Sequence, residues 1–335
     1  MSKHKDLKLV SIGSISAASL LINSFPECKG NIIAIVPTTD TGSSTGIIRK
    51  NFFLPAPGDV RAVMAAMAEK KGSPAILKKL FDYRFNKSQF KALSNMALGN
   101  LIIAALADIE GSFARAIKAS EKLLSIKGKV LPVTTTNANL KAVLKNGKVV
   151  RGEKEVRQPG KPPIEKIFLE ERSARLGEGI LQAIRGADMI LIGPGCLYTS
   201  IIACLVVPGL SVLLDQTKAK KIYCCNTTTT PGQTDDLTIW DHVNLVTQYL
   251  DNHPPDYVLV NNKKPQSAVV KAYQRDNVRL ILPTPQEIKK IKTAGISPVV
   301  TDLIEENWTG KRNLHKVDTI RHSPQKVRKA LLKIC

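Results

Sequence analysis

Short β-branched segments alternate with helix-period segments along this chain, and that alternation constrains the fold more than any single motif. Lys8 to Gly13 reads as a strand, Ser14 to Ser24 carries apolar residues at near-helical spacing, and Asn31 to Val36 is a second strand dense in Ile and Val. A βαβ opening of this kind requires a parallel pair joined by a crossover helix. The pattern returns later, with helices over Arg175 to Arg185, Tyr198 to Val206, Leu210 to Lys218, Leu237 to Leu250 and Ala268 to Gln274. Strands over Met189 to Ile192, Lys221 to Cys225, Tyr257 to Val260 and Val278 to Leu282 lie between them. The expected fold is α/β: a Rossmann-like, doubly wound, mostly parallel sheet whose ligands sit beyond the carboxyl ends of the strands.

Two features interrupt the alternation. A helical insertion over about 60–125 shows apolar periodicity through Arg61 to Ala68, Ala75 to Phe81, Met96 to Ala107 and Phe113 to Leu124. A small strand hairpin follows, from Leu140 to Leu144 and Val149 to Arg151 around the Asn146-Gly147 turn, near a further strand at Val130 to Val133. Glu153 to Pro163 is charged and Pro-containing and reads as an exposed connection. Residues 1–310 are expected to form one domain and 311–335 a basic C-terminal tail.

The 335 residues hold 49 Lys and Arg against 28 Asp and Glu, a formal net charge of +21. Such a surplus favours polyanionic partners: nucleic acid, an anionic membrane surface or a phosphorylated small molecule. It also describes an ordinary Lys-rich solvated surface. The tail from Lys311 holds eight Lys and Arg against one acid, Asp318. No aromatic residue interleaves them, which argues against nucleic acid. The longest apolar run, Ile201 to Leu214, is broken by Pro208 and Gly209, so no membrane span is expected. The charged N-terminus lacks an apolar h-region, and six cysteines without CxxC or a His partner at ligand spacing suit a reducing cytoplasm. Cys224 and Cys225, adjacent in a strand, should point to opposite faces.

Three polar, glycine-containing loops each follow an expected strand: Thr38 to Gly46, inside a long loop from Pro37 to Asp59; Gly193 to Ser200; and Asn226 to Asp236. A doubly wound sheet would bring them to one rim, where glycines allow close backbone approach and hydroxyls and free N–H groups donate to phosphate oxygens. Asp40 is a candidate Mg²⁺ ligand, and equally an Asx-turn or cap residue. Asp59 is a candidate ligand residue or merely the N-cap of the next helix. Arg61, in a first helical turn, has no reason in the helix dipole to be there, which an anion partner would supply. HExxH, GxSxG and GxGxxG are absent, so zinc chemistry, a nucleophile elbow and NAD-linked redox chemistry lack support.

Taken together, Pro55-Ala-Pro-Gly-Asp-Val-Arg61, Leu98-Gly-Asn100, Gly193-Pro-Gly-Cys-Leu-Tyr-Thr-Ser-Ile201 and Cys225-Asn-Thr-Thr-Thr-Thr-Pro-Gly-Gln-Thr-Asp235 resemble the gluconeogenesis factor family. That family is related in fold to 2-phospho-L-lactate transferase, and the resemblance runs from about Leu7 to Ile281. It implies a cytoplasmic Rossmann-like domain binding a nucleoside diphosphate compound, a UDP-sugar first of all, and supporting cell shape and envelope synthesis during gluconeogenic growth. The alternative it implies is an Mg²⁺-dependent transferase that uses a nucleoside diphosphate donor. The ligand residues expected from loops and resemblance are Gly13, Ser16, Gly42, Ser43, Ser44, Asp59, Arg61, Asn100, Gly193, Gly195, Tyr198, Ser200, Asn226, Thr229 and Asp235, with Asp40 toward a metal. No catalytic residue is assigned; a protein partner and a homo-oligomer stay open. The chain departs from the family where Gly-Gly-Gly-Thr-Gly is replaced by Gly13-Ser-Ile-Ser-Ala17, where an aspartate pair is Asp40-Thr41, and at Met96 and Cys196. Ile15 and Ala17 are expected to crowd a pyrophosphate.

Overall fold

The computed structural model describes residues 5–69, 71–85, 93–305 and 320–334. Ten strands are present among them: β1 Leu9–Ile12, β2 Ile32–Val36, β3 Lys129–Pro132, β4 Leu140–Leu144, β5 Val149–Arg151, β6 Ile164–Leu169, β7 Met189–Ile192, β8 Lys220–Cys224, β9 Tyr257–Asn261 and β10 Ser297–Thr301. The helices are α1 Ile15–Ser24, α2 Ser43–Phe52, α3 Gly58–Met67, α4 Gly72–Asp82, α5 Leu98–Glu110, α6 Phe113–Leu123 and α7 Glu153–Val156. Then come α8 Ile180–Arg185, α9 Ala203–Leu205, α10 Leu210–Gln216, α11 Ile239–Gln248, α12 Ser267–Gln274, α13 Pro285–Thr293 and α14 Pro324–Leu331.

Seven strands form one all-parallel sheet in the order β10-β9-β8-β7-β1-β2-β3, and β5-β4-β6 form a second, antiparallel sheet. Strand order reverses between β1 and β7, the place where an open parallel sheet leaves a crevice at its carboxyl edge. The α/β, doubly wound expectation holds, with both faces covered. Val10, Ile35, Ile190 and Tyr223 pack into one core, while Leu9, Ala34, Leu191 and Ile222 pack into the other. Each fully buried Leu or Ile contributes roughly 1.5–3 kcal/mol, so the period-two pattern of these strands is what fixes the sheet. Cys224 and Cys225 fall on opposite cores as their alternation requires, and Cys28, Cys196, Cys204, Cys224 and Cys225 are all free thiols.

Several expectations are corrected. The long loop from Pro37 contains α2, a helix that its Ser-Ser-Thr-Gly start disguises, because small polar residues have low helix propensity and the segment is held by tertiary bonds. Glu153 to Pro163 is not simply an exposed connection: α7 opens it, with Glu153 and Val156 buried. The hairpin gains a third strand, β6. Val278 to Leu282 makes only an isolated bridge between Leu280 and Thr228, and the sheet edge is β10, where Pro298 is tolerated because an edge strand needs no second ladder. The helix expected from Arg175 forms only from Ile180, and that expected from Tyr198 is a π turn, Leu197–Ile202, leading into α9.

The expected tail divides. Residues 311–319 and 335 lie outside the described residues, but α14 is packed against α1 with Val327 and Leu331 fully buried. Its positive charges sit on an amphipathic helix that belongs to the body: Arg328 donates to the Ser24 carbonyl, pairs with Glu27 and stacks on Phe25. Among the described residues no single helix is long and apolar enough to cross a membrane.

Candidate functional site

The carboxyl ends of β1, β2, β7 and β8 open onto one cavity of about 440 Å³. Ser14, Ile15 and Ser16 reach it from the turn after β1, Asp40 from the loop after β2, Pro194 to Cys196 with Thr199 and Ser200 after β7, and Asn226, Thr227 and Thr230 after β8. This convergence follows from topology alone, since every parallel strand ends on the same edge. Gly13, at φ +136°, makes the turn that allows it and donates its N–H to the Ile35 carbonyl. Across the crevice, a Cβ on Gly195 would stand 3.3 Å from Ser14 Oγ, and the Asn226 amide bonds the Gly195 carbonyl at 2.9 Å. The remaining wall comes from elsewhere: Glu153 and Arg157 at α7, and Glu305, Arg321, His322 and Pro324 beside α14, with Ser19, Leu20 and Asn23 of α1.

Asp40 is fixed from several sides. Its Oδ1 accepts from the Gly42 N–H at 2.7 Å, the Asx turn that the sequence allowed, and Gly42 caps α2. Gly58 is required beside it, because a Cβ there would lie 2.5 Å from Thr45 Oγ1 and 3.3 Å from Asp40 Oδ2. Behind it Arg49, buried in α2, donates to the carbonyls of Thr39, Asp40 and Ala138 and to the amide oxygens of Asn137 and Asn139. Facing it is Glu153, which pairs with Arg157 at 2.8 Å. Burial, and then the neighbouring Asp40 carboxylate, push the Glu153 carboxyl up to about 7 against the pull of Arg157, and the two carboxyl groups hydrogen-bond to one another. At the other end of the cavity burial holds His322 down at about 4, against a hydrogen bond to the Cys225 backbone. Its Nε2 is buried with no hydrogen-bond partner among the described residues.

The cavity therefore carries the carboxyl groups of Asp40, Asp59, Glu153 and Glu305 against the guanidinium groups of Arg157 and Arg321. Among the described residues no three His, Cys, Asp or Glu side chains cluster closely enough to hold a metal by themselves. Asp40 and Glu153 suit Mg²⁺ in another way: this ion is commonly bound by one or two carboxylates with phosphate oxygens completing its shell.

Of the residues expected from sequence, Ser16, Asp40, Asp59, Gly195, Ser200 and Asn226 line the cavity. The others build its frame. Ser43 opens α2 and Ser44 Oγ accepts from the Asn100 amide at 2.8 Å, tying α2 to α5. Gly193 donates to the Ile12 carbonyl, Thr229 exchanges bonds with the Arg279 backbone, and Asp235 accepts from the Gly232 N–H at 2.8 Å. Tyr198 is buried in the core, which raises its phenol well above the ordinary range. Arg61 has its anion within the protein: the guanidinium donates to the Phe81 carbonyl at 2.8 Å and to Asp82 at 3.1 Å. Ala17 is fully buried and turned from the cavity, so of the two crowding side chains only Ile15 enters it.

Sequence reasoning missed Glu153, Arg157, Glu305, Arg321 and His322. For the first pair a signal existed: Glu153 and Arg157 are four apart around apolar Val156, after a glycine that adopts φ +89°. For Arg321 and His322 the Ser323-Pro324 helix start marked a structured segment inside the supposed tail.

The profile of the family described as 2-phospho-L-lactate transferase CofD matches residues 10–304. The gluconeogenesis factor of Bacillus subtilis is 33% identical over 97% of this chain and 97% of its own length. The gluconeogenesis factor of Halalkalibacterium halodurans is 34% identical over 98% of this chain and 96% of its own. A crystal structure of a Bacillus halodurans protein superposes with a TM-score of 0.86 at 32% identity, covering 97% of this chain and 99% of that one. With the switch-point cavity and the Pro55–Arg61, Gly193–Ile201 and Cys225–Asp235 strings in place, the chain belongs to the CofD family, among the relatives named gluconeogenesis factors.

Proposed function

We propose that this protein is a cytoplasmic gluconeogenesis factor that binds a nucleoside diphosphate compound, a UDP-sugar first of all, in the switch-point cavity and supports cell morphogenesis and envelope synthesis during gluconeogenic growth. The observation that carries the reading is the convergence of four strand-end segments on one cavity, to which they bring uncharged donors: the hydroxyls of Ser16, Ser200 and Thr230, the Asn226 amide and the turn N–H groups. Such donors bind phosphate oxygens without competing counter-charge. Arg157 stands at the same cavity and adds the one strong cation on the Asp40 side. Members of the CofD family give the ligand class its support.

One observation favours a second reading, an Mg²⁺-dependent transferase acting on a nucleoside diphosphate donor: Asp40, Asp59 and Glu153 give the cavity more carboxylate than a bare diphosphate tolerates. Asp40 and Glu153 are the residues that would hold Mg²⁺, which when bound neutralises phosphate charge and polarises the phosphoryl oxygens. Asn226 and Ser200 would orient the ligand, and Arg157, paired with Glu153, would pull it toward its ionised form against burial and the Asp40 carboxylate.

Thermal-shift titration with UDP-sugars and guanosine diphosphate compounds, with and without Mg²⁺, tests both readings. Stabilisation by a UDP-sugar without release of nucleotide supports the binding role. Release of a nucleoside monophosphate only with Mg²⁺, followed by phosphorus NMR, supports transfer. Failure of every nucleotide to raise Tm, with or without the metal, rejects both.

A further inference from the structure

Half of the large apolar side chains that stand most exposed among the described residues fall in two stretches of the helical insertion and its neighbour α2: Ile47, Phe52 and Phe53, and Ile76, Leu80 and Tyr83. On α4, Ile76 and Leu80 lie one turn apart in an exposed stripe that Tyr83, the extended residue just past the helix end, continues, and only Phe81 of that helix is buried. The packing joins this stripe to the end of α2. The Tyr83 ring stands edge-on against Phe85, with centroids 5.2 Å apart, and Phe85 packs with Leu54 and Ile48 into a small separate cluster. Phe52 and Phe53 lie immediately before Leu54.

Phe53 is the sharpest point of the surface. It is 82% exposed and occupies the left-handed position after α2, at φ +54°, where glycine or asparagine is the usual choice. Folding alone gives no reason for a phenylalanine there. Around these side chains Lys50, Lys71, Lys79 and Arg84 are exposed, and the single acid in the two stretches, Asp82, is held by Arg61 and Lys78.

We infer that this face docks onto the surface of an anionic phospholipid bilayer, with Phe52, Phe53, Ile76 and Leu80 entering the headgroup boundary and the surrounding lysines meeting lipid phosphates. The chemistry is that of a peripheral apolar-and-basic surface: apolar side chains without hydrogen-bonding groups to satisfy, projecting rather than recessed, inside a cationic rim. A second copy of this chain is disfavoured, since it would bring two positive rims together. The N-cap of α2, Gly42, also lies beside Asp40, so docking through the far end of α2 would hold the cavity about 15 Å, one ten-residue helix length, from the lipid.

The test is co-sedimentation of the full chain with phosphatidylcholine vesicles, with and without phosphatidylglycerol. Binding is expected only with the anionic lipid, falling as salt is raised. Phe53→Asn combined with Leu80→Gln should weaken it about tenfold or more while leaving Tm unchanged, because both side chains are exposed. Lys50→Glu with Lys79→Glu should weaken it comparably. Absence of binding to anionic vesicles overturns the inference, and so does binding that is lost with the lysine pair but indifferent to the Phe53 pair, which is adsorption alone. Retention of single-stranded RNA by the wild type but not the Phe53 variant, without vesicle binding, assigns the face to nucleic acid and also overturns it.

Discussion

The two walls of the cavity are built from different materials. The strand-end wall is mostly uncharged: glycines, hydroxyls and the Asn226 amide, placed by a rigid parallel sheet, with Asp40 as the carboxylate that meets the other wall. The opposite wall is ionic, made of Glu153 and Arg157 from α7 and of Glu305, Arg321 and His322 from segments outside the strand order. Shape and hydrogen-bond direction on the neutral wall are insensitive to pH and salt. On the ionic wall the same ligand would meet groups whose charge depends on both. On the proposed reading, affinity would rest on one wall and its response to pH and salt on the other, and each can be attacked alone.

The largest effect is expected at the support of the strand-end wall. Arg49→Met removes the guanidinium on which the Thr39, Asp40 and Ala138 carbonyls and two amide side chains converge. Stranding buried acceptors of that number costs about 3–5 kcal/mol, which in a chain of this size lowers Tm by about 5 °C or more. A variant that melts with the wild type would show that the loop bearing Asp40 needs no such anchor.

Next comes the ionic wall, through pH. The Glu153 carboxyl sits at about 7 when folded against 4.5 as a free carboxyl, so the folded state keeps a proton that the unfolded chain releases. Its contribution is favourable below about 4.5 and is lost as pH rises through about 7. His322 runs the other way: at about 4 when folded against 6.5 free, it costs stability as pH falls from about 6.5 to 4. Glu153→Gln should therefore gain on the wild type between about pH 5 and pH 8, by an amount on the order of 2–3 kcal/mol. Urea unfolding at several pH values reads it. A difference that stays flat across the range contradicts a proton shared between Glu153 and Asp40.

A smaller effect belongs to Asn226. Its amide bonds the Gly195 carbonyl and lines the cavity, so Asn226→Ala should cost the free protein about 1 kcal/mol and weaken nucleotide binding about tenfold. Calorimetric titration separates the two. If binding is untouched while Arg157→Leu abolishes it, the ligand is held by the ionic wall and the neutral one is only scaffold.

How far the sequence exposed this arrangement follows the same division. β1, α1 and β2, the Asn146-Gly147 hairpin and the opposed Cys224 and Cys225 were legible because apolar periodicity reports burial directly. The neutral wall was legible too, since parallel strands must release their loops on one edge. The ionic wall was not: a charged segment such as Glu153 to Pro163 looks the same whether its charges face water or one another. Arg61 shows the converse, for a sequence cannot tell a ligand anion from Asp82 at the end of the next helix. β10 was hidden by Pro298, and α2 by its serines and glycine, because edge position and the Asn100–Ser44 bond are tertiary facts.

The seam between the walls gives the finest test of their independence. Lys161 leaves the segment after α7 and donates to the Gly232 carbonyl, and burial lowers its ammonium from the ordinary range against the opposing field of Asp235. Gly232 itself permits the contact, as a Cβ there would lie 2.5 Å from the Arg157 carbonyl. Lys161→Met keeps the stem and removes only the charged donor, so a loss near 1 kcal/mol is expected, at the limit of what a melting curve resolves. Hydrogen exchange is the better reader. If Lys161 binds the neutral turn to the ionic segment, amides from Thr230 to Asp235 should exchange faster in the variant while those of β8 stay protected. Acceleration spread evenly over both would mean that the two walls open as one unit, and the separation of affinity from regulation would fail with it.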